Sequence, residues 1–306
     1  MTTAGDGIQR ARTGAVELAY ETFGDRSDPP LLLIMGLATQ MLAWPDRFCA
    51  GLADRGLFVV RFDNRDVGLS THLDDAPPAD VGAALGGDAS SASYTLSDMA
   101  ADTAGLIEAL GLRSAHLAGV SMGGMIAQTL AIEHPERVRS LTSIMSTTGD
   151  RSVGGATEAA VAVLMAPAAT TREEAQELSL QTYRVIGSPA YPLDEAAIRQ
   201  RAATAFDRGH DPAGVARQFV GIQASPDRTP ALAELRIPAL VIHGAQDPLI
   251  DVSGGRATAA AIPGAELVVL EGMGHDLPEA LWAEIGDRIA GLVARAEALD
   301  RAGHPW

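Results

Sequence analysis

The sequence has 306 residues, of which 47% are hydrophobic and only 4% aromatic, so it can bury the core of one large domain or two small ones. Its net charge of −16 is the opposite of the basic surface with which proteins bind nucleic acids or anionic membranes, and we expect neither as a partner. Residues 1–14 are polar and no apolar run approaches membrane-spanning length, so we expect a soluble, cytoplasmic protein.

Hydrophobic patterning predicts strands that alternate with helices. Residues 8–24 alternate apolar and polar side chains with a period of two, which predicts two antiparallel strands. Residues 31–35 are continuously apolar, as is typical of a strand buried on both faces. Further strands are predicted at 58–63, 116–120, 138–145, 237–244 and 266–270, and helices at 45–56, 95–110, 124–134, 253–262 and 278–298. This alternation predicts an α/β fold with a mostly parallel central sheet flanked by helices.

Three segments carry more specific expectations. The helix at 95–110 has Ser97 as its expected N-cap and Gly111 as its stop. Cys49 is the only cysteine, so it cannot form an intramolecular disulfide, and we expect a buried, inert thiol. Residues 72–94 are rich in Asp, Pro, Ala, Gly and Ser, which predicts a long surface loop.

The segment around Ser121 predicts a nucleophile. Residues 119–123 read Gly-Val-Ser-Met-Gly and fit G-x-S-x-G, with an apolar strand pattern before them and a helical pattern after them. A serine on so sharp a strand-to-helix turn has a strained backbone, which small neighbours such as Gly119 and Gly123 accommodate. A glycine-rich turn with a capping serine would give the same pattern without chemistry, so the assignment depends on partner residues elsewhere.

Partners for this serine follow two later strands. A serine hydroxyl needs a base, and the base needs an orienting carboxylate. His275 follows the strand at 266–270 through a glycine-containing loop, and Asp247 follows the strand at 237–244. Both positions lie at the carboxyl edge of a parallel sheet, where functional groups gather. The chain order Ser121, Asp247, His275 is the one found in hydrolases that carry the nucleophile on a G-x-S-x-G turn. Asp150, at the end of the sixth strand, is a competing candidate for the acid.

We expect no catalytic role for the remaining histidines. His116 lies at the wrong end of its strand, and we expect His243 to be a hydrogen-bonded core residue. We expect solvated roles for the others, which are His72, His134, His210 and His304.

An oxyanion hole for the same reaction needs two N–H donors. One is the backbone N–H of Met122, at the N-terminus of the helix that follows the serine. The second should come from the loop after the strand at 31–35, and we choose the N–H of Leu37, with Gly36 giving the loop freedom to turn inward.

Five segments together carry a family resemblance. They are Met-Gly-Leu at 35–37, DNRDVGLS at 63–70, GVSMGG at 119–124, HGAQD at 243–247 and GMGH at 272–275. On these segments the chain resembles the α/β-hydrolase superfamily over nearly its whole length. Within it, the chain looks like the aclacinomycin methylesterase type, which cleaves a methyl ester on a polycyclic polyketide. Many members have His-Gly at the position of Met35 and Gly36, but the methylesterase-like branch shares the methionine.

The resemblance implies the α/β-hydrolase fold and a serine esterase that cleaves a carboxylic ester through an acyl-enzyme. We expect no metal and no organic cofactor. Three alternatives stay open: a cofactor-free perhydrolase of the haloperoxidase type, a C–C hydrolase, and a ligand-binding receptor that retains the triad. The expected partner is a small-molecule ester, and a homo-oligomer is left open.

Residues 150–235 predict a helical insert. They contain no convincing buried strand but four helical patterns, at 156–165, 171–186, 194–208 and 212–223. We therefore divide the chain into a hydrolase core domain, residues 1–149 and 236–306, and a cap domain, residues 150–235. The cap should bury most of its apolar side chains over the carboxyl edge of the sheet. Some should line the substrate pocket, and Met165 is chosen because methionine suits irregular apolar walls.

Overall fold

The computed structural model describes residues 6–302 and is built around one eight-stranded sheet. Its strands are β1 (Asp6–Thr13), β2 (Val16–Phe23), β3 (Pro30–Ile34), β4 (Phe58–Phe62), β5 (Ala115–Val120), β6 (Val138–Ile144), β7 (Ala239–Gly244) and β8 (Glu266–Leu270). Their spatial order is β1-β2-β4-β3-β5-β6-β7-β8. β2 pairs antiparallel with both of its neighbours, and every pair from β4 to β8 is parallel, as the sequence predicts.

Helices connect these strands and cover the sheet. They are α1 (Asp46–Ala53), α2 (Val81–Leu85), α3 (Leu96–Ala109), α4 (Met122–Glu133), α5 (Glu158–Leu164), α6 (Arg172–Ile186), α7 (Glu195–Arg208), α8 (Pro212–Ala224), α9 (Thr229–Leu232), α10 (Val252–Ala261) and α11 (Trp282–Arg301). Short 3₁₀ turns lie at Met41–Ala43, Pro135–Arg137 and Glu279–Leu281. None of the helices within residues 6–302 is long and apolar enough to cross a membrane.

The central strands of the sheet are buried on both faces, which explains their continuous apolar sequences. In β3, Leu31 and Leu33 belong to a core cluster that α1 and α11 cover, whereas Leu32 and Ile34 belong to a second cluster with α3 and α4. Successive side chains of a strand point to opposite faces, so a strand between two helical layers has no polar side. Cys49 is fully buried on α1, and burial raises the pKa of its thiol to about 12, which confirms the expected inert thiol.

Two local expectations need correction. The N-cap of α3 is Thr95 and not Ser97, because Thr95 and Asp98 form a capping box. Residues 72–94 are not entirely loop, since Asp80 caps the short helix α2 by accepting a hydrogen bond from the Ala83 N–H. The helix packs through Ala84 against α8, so a long-range contact orders a segment whose composition is typical of loops.

The helical insert follows β6 and contains α5 to α9. All four predicted helices are present, and α9 is an additional short one. Three apolar residues on or next to α5 are not among those that the insert buries: Val161, Leu164 and Met165 are 40%, 37% and 36% exposed. The first turn of α5 nevertheless touches the core, where the Thr157 N–H donates to the Pro248 carbonyl over 2.8 Å.

Candidate active site

Ser121 lies at the point where the chain order in the sheet reverses. The chain runs from β3 outward to β4 on one side and returns to β5 on the other, and a crevice at the carboxyl ends of such strands is where α/β proteins bind ligands. Ser121 has a φ of +55° and a ψ of −122°, a left-handed conformation that is strained for any residue with a side chain. Its N–H donates to Ile144 O at 2.9 Å and its carbonyl accepts from Ser146 Oγ at 2.8 Å, so both sides of the strained residue are held by β6 and its loop.

Glycines flank this strained residue because there is no room for a side chain. A Cβ on Gly119 would lie 2.1 Å from the carbonyl oxygen of Gly123, and one on Gly123 would lie 2.1 Å from that of Ile34. The backbone of α4 therefore rests directly on β5 and β3. The turn presents the half-exposed Ser121 side chain at the sheet edge and places Met122 first in α4, where its N–H has no intrahelical acceptor.

Asp247 and His275 meet at the ends of β7 and β8. His275 Nδ1 is 2.7 Å from Asp247 Oδ2. The other carboxylate oxygen, Oδ1, accepts the N–H groups of Leu249 and Ile250, both at 2.9 Å, so the acid is fixed by its own turn. The backbone N–H of His275 donates to Ile186 O over 2.7 Å, which ties the histidine loop to the end of α6.

Electrostatics favours the ionised form of this acid. Burial acts to raise the pKa of Asp247, but a positive charge on His275, hydrogen bonds from the His243 and His275 rings and the N–H of Ile250 outweigh it. The pKa of the carboxyl therefore lies well below its ordinary value. A carboxylate in this state can hold the imidazole in one orientation and stabilise it once it gains a proton.

The structure brings together two of the three predicted residues by direct contact. No hydrogen bond joins the Ser121 hydroxyl to the His275 ring in the described chain. Such bonds commonly tighten only with substrate bound. The competing acid, Asp150, accepts a hydrogen bond from the N–H of Ser152 in its own turn, whereas Asp247 contacts the histidine ring.

Several of the other histidines hydrogen-bond within the fold. His243 is fully buried and hydrogen-bonded, as expected, and so is His116. His72 does not have the expected solvated role, because its Nδ1 lies 2.8 Å from Asp211 Oδ2 in a half-buried ion pair. His304 lies outside the described residues.

The loop after β3, residues 35–41, lies beside Ser121 and is named here the oxyanion loop. A Cβ on Gly36 would be 3.2 Å from Ser121 Cβ and 3.7 Å from Ser121 Oγ, so the backbone of Gly36 passes next to the hydroxyl. Leu37, the predicted second oxyanion donor, directly follows this close approach. The N–H of Leu37 therefore lies on a backbone segment beside the serine, and that of Met122 belongs to the residue that follows it.

Several side chains that brace the site were missed from the sequence. Asn64 Nδ2 donates to Met35 O at 2.9 Å, and Gln218 Oε1 accepts from the Ala38 N–H at 3.0 Å. Asn64 belongs to the DNRDVGLS segment, so a polar run directly after a buried strand was the available signal. Gln218 carried no comparable signal, because it stands in an ordinary amphipathic helix far away in the chain.

A second missed group braces the histidine loop. Ser188 Oγ donates to Asp276 Oδ1 and accepts the N–H of Gly274 at 2.9 Å. Burial raises the pKa of Asp276, although hydrogen bonds from Ser188 and the charge on His275 oppose it. Asp276 thus faces Ser188 on the insert, while Asp247 occupies the position at the ring nitrogen.

One cluster has the composition of a cation site. Carboxylate oxygens of Asp66 and Asp211 and a ring nitrogen of His72 lie within 4.8 Å of one another. Arg217 already pairs with both carboxylates, and the Tyr94 hydroxyl donates to Asp66 at 2.7 Å. With a guanidinium in place, this cluster is an ion-pair network between the insert and the core.

Comparisons with known proteins show the family of the chain. The family model of the alpha/beta hydrolase fold matches residues 29–279. Rhodomycin D methylesterases of Streptomyces peucetius and of another Streptomyces strain are each 32% identical over 289 residues, covering 87% of this chain and 91% of theirs. A solved hydrolase from Pseudomonas aeruginosa is 25% identical and superposes with a TM-score of 0.66 over 94% of this chain and 97% of its own. The chain therefore belongs to the α/β-hydrolase family, with methylesterases among its near full-length relatives.

Proposed function

We propose that the protein is a serine esterase that cleaves the carboxylic ester of a hydrophobic small molecule through an acyl-enzyme. Near full-length similarity to two methylesterases supports the class of carboxylic ester hydrolase. The observation that carries the mechanism is the 2.7 Å contact between His275 Nδ1 and Asp247 Oδ2. A carboxylate at Nδ1 favours the neutral tautomer with its proton on Nδ1, which would leave Nε2 as the basic nitrogen.

The proposed reaction has two stages. Ser121 Oγ attacks the ester carbonyl while His275 Nε2 takes its proton, and the N–H groups of Leu37 and Met122 stabilise the oxyanion. The tetrahedral intermediate collapses as the imidazolium returns the proton to the leaving alcohol. Water, deprotonated by the same nitrogen, then attacks the acyl-enzyme and releases the acid and Ser121. Asp247 orients the ring throughout and balances its charge.

Residues 150–235 are proposed as the cap over this site. Its half-exposed apolar side chains at Val161, Leu164 and Met165 stand on the helix whose first turn contacts the acid loop at Pro248. We assign Met165 to the pocket wall on this basis. A cap that presents apolar side chains next to the triad loops favours an uncharged, apolar substrate body.

The cationic side chains of the insert near the oxyanion loop are already paired with carboxylates, which supports the same uncharged substrate class. Arg208 pairs with Asp63 at 2.7 Å, and Arg217 pairs with Asp66 at 2.8 Å. Both positive charges are therefore balanced within the protein, which leaves them poorly suited to bind an anionic acyl group. We expect kcat/KM to rise along a series of neutral esters of increasing apolar size and to be lower for matched anionic esters.

Labelling of the nucleophile tests the proposal. A fluorophosphonate probe should label the wild-type protein, and Ser121→Ala should lose both labelling and ester hydrolysis. Ser179→Ala, on α6, is the matched control and should retain both. Labelling or hydrolysis that survives in Ser121→Ala would contradict the serine mechanism, and peracid formation exceeding hydrolysis on one acyl donor would favour a perhydrolase instead.

A further inference from the structure

The oxyanion loop is held from two sides by side chains outside it. On the core side, Asn64 Nδ2 donates to Met35 O at 2.9 Å. On the insert side, Gln218 Oε1 accepts the N–H of Ala38 at 3.0 Å. Ala38 has a φ of +62°, a left-handed conformation that an alanine keeps only where its surroundings impose it. The residue directly after the proposed donor Leu37 is thus fixed by a contact from α8.

Gln218 is suited to this contact by burial and by the chemistry of its partners. Its side chain is fully buried, and its Nε2 donates to Arg65 O at 2.7 Å. An N–H must face the amide oxygen and a carbonyl must face the amide nitrogen, so these partners fix the orientation of the amide. Both ends of Gln218 are satisfied, and it links the oxyanion loop to the loop after β4.

The helix that carries Gln218 is anchored to the same core loop. Arg217 donates to both carboxylate oxygens of Asp66, at 2.9 and 2.8 Å. A Cβ on Gly214 would lie 2.5 Å from Asp66 O, so the backbone of α8 rests directly on this loop. Gln218 therefore acts from a fixed support, and its amide holds Ala38 at a defined place.

Hydrogen bonding also narrows the choice of N–H groups in the oxyanion loop that can face Ser121. The N–H of Ala38 is taken by Gln218, that of Thr39 donates to Gly36 O at 3.3 Å, and that of Met41 donates to Asp63 Oδ1 at 2.7 Å. These three donors are engaged elsewhere, which leaves the N–H of Leu37, directly before the held Ala38, available to point toward the serine.

We propose that Gln218 is a positioning residue for the oxyanion hole: it fixes the Leu37–Ala38 peptide and thereby aims the Leu37 N–H at the developing oxyanion. The inference rests on the proposed esterase function. Its distinguishing consequence is that loss of Gln218 weakens binding of the transition state much more than binding of the ground-state ester.

The test compares Gln218→Met with Gln128→Met. Gln128 is the matched control, because it is also fully buried on a helix and hydrogen-bonded at both ends, to Ser143 and Arg228. For a neutral apolar ester we expect Gln218→Met to lower kcat on the order of 10- to 100-fold with KM within about twofold, since removing an oxyanion donor outright costs roughly 10²–10³. Affinity for a trifluoromethyl ketone, which forms an anionic adduct, should fall by the same factor as kcat. Gln128→Met should keep kcat within about threefold of the wild-type value, even if its melting temperature falls.

Equal loss of kcat in the two variants, or loss confined to KM, overturns the role of Gln218. Should Gln218→Met fail to fold, Gln218→Glu decides, because a fully buried carboxyl favours its protonated form, which keeps an oxygen facing the Ala38 N–H and an O–H facing the Arg65 carbonyl. Retention of kcat within about tenfold in that variant supports the role, and a folded Gln218→Glu with a larger loss overturns it. If Ser121→Ala is inactive while Gln218→Met is normal, only this inference fails; if Ser121→Ala remains active, the proposed function itself fails.

Discussion

Replacement of Asp247 by asparagine should disable the proposed base through its tautomer. Oδ1 accepts two backbone N–H groups, from Leu249 and Ile250 at 2.9 Å, and these donors will hold the single oxygen of an asparagine. The amide nitrogen must then occupy the Oδ2 position, 2.7 Å from His275 Nδ1. Because that nitrogen is a donor, Nδ1 must become the acceptor and the ring proton moves to Nε2. An imidazole protonated at Nε2 cannot take the proton of Ser121.

The magnitude follows from this geometry. The two backbone contacts survive, so the turn and the melting temperature should change little, while the population of competent imidazole becomes very small. The same substitution in the Ser-His-Asp triad of a serine protease, which has an unrelated fold, lowers kcat on the order of 10⁴-fold. At 1.36 kcal/mol per factor of ten, this corresponds to a loss of about 5.4 kcal/mol of transition-state stabilisation. We expect a loss of this order for Asp247→Asn.

The assay measures kcat from the steady-state hydrolysis of a neutral ester and the melting temperature from thermal unfolding of the same preparations. Asp150→Asn is the control, because the Asp150 carboxylate accepts only from its own turn at Ser152, and kcat should stay within about threefold of wild type. The reasoning is refuted if folded Asp247→Asn keeps more than a tenth of wild-type kcat. A large loss in Asp150→Asn with little in Asp247→Asn would place the acid after β6 instead.

Two further predictions concern the scaffold of the site. Gly123→Ala should destabilise the protein by roughly 1–3 kcal/mol and lower kcat, because its Cβ would lie 2.1 Å from Ile34 O; Gly155→Ala, where a Cβ meets nothing within 4 Å, should leave the thermal unfolding midpoint unchanged. Burial acts to lower the pKa of His72, but the hydrogen bond and charge of Asp211, with other acceptors, outweigh it and the pKa is raised. The stabilisation by His72 is therefore complete below about pH 6.5 and is lost as the pH rises through the folded value. The loss of melting temperature in His72→Asn should be largest near pH 6 and shrink toward pH 9, and a constant difference would contradict the ion pair.

Most of the fold could be predicted because its signals are local. The apolar run at β3 and the glycines around Ser121 follow from burial on two faces and from close backbone contact, and both requirements are visible in a short window. The positions of Asp247 and His275 followed from one topological rule, that loops at the carboxyl ends of parallel strands meet at one edge. Their mutual contact is the part of the candidate site that the structure shows directly.

Expectations failed where order depends on a distant partner. The composition of residues 72–94 is that of a loop, yet Ala84 of α2 packs in one cluster with Phe219 and Val220 of α8. Val161 illustrates the reverse case, since most apolar residues of the insert were expected to be buried and this one is 40% exposed. Which face of an insert helix meets the core is decided by docking across more than a hundred residues of chain, and helical periodicity alone does not contain that choice.

The same long-range docking explains why the insert matters for the proposed chemistry beyond covering the site. The sheet fixes only the first residues of the loops that carry the proposed reacting groups, because each of these groups lies beyond the last residue of its strand. The insert fixes their far ends: Ile186 and Ser188 bond the loop of His275, and Gln218 bonds Ala38 in the oxyanion loop. A base and an oxyanion donor from different strands must be positioned relative to each other with an error of less than about 1 Å. In this chain that placement comes from one helical segment touching both loops, so the position of the insert and the geometry of the site are set together.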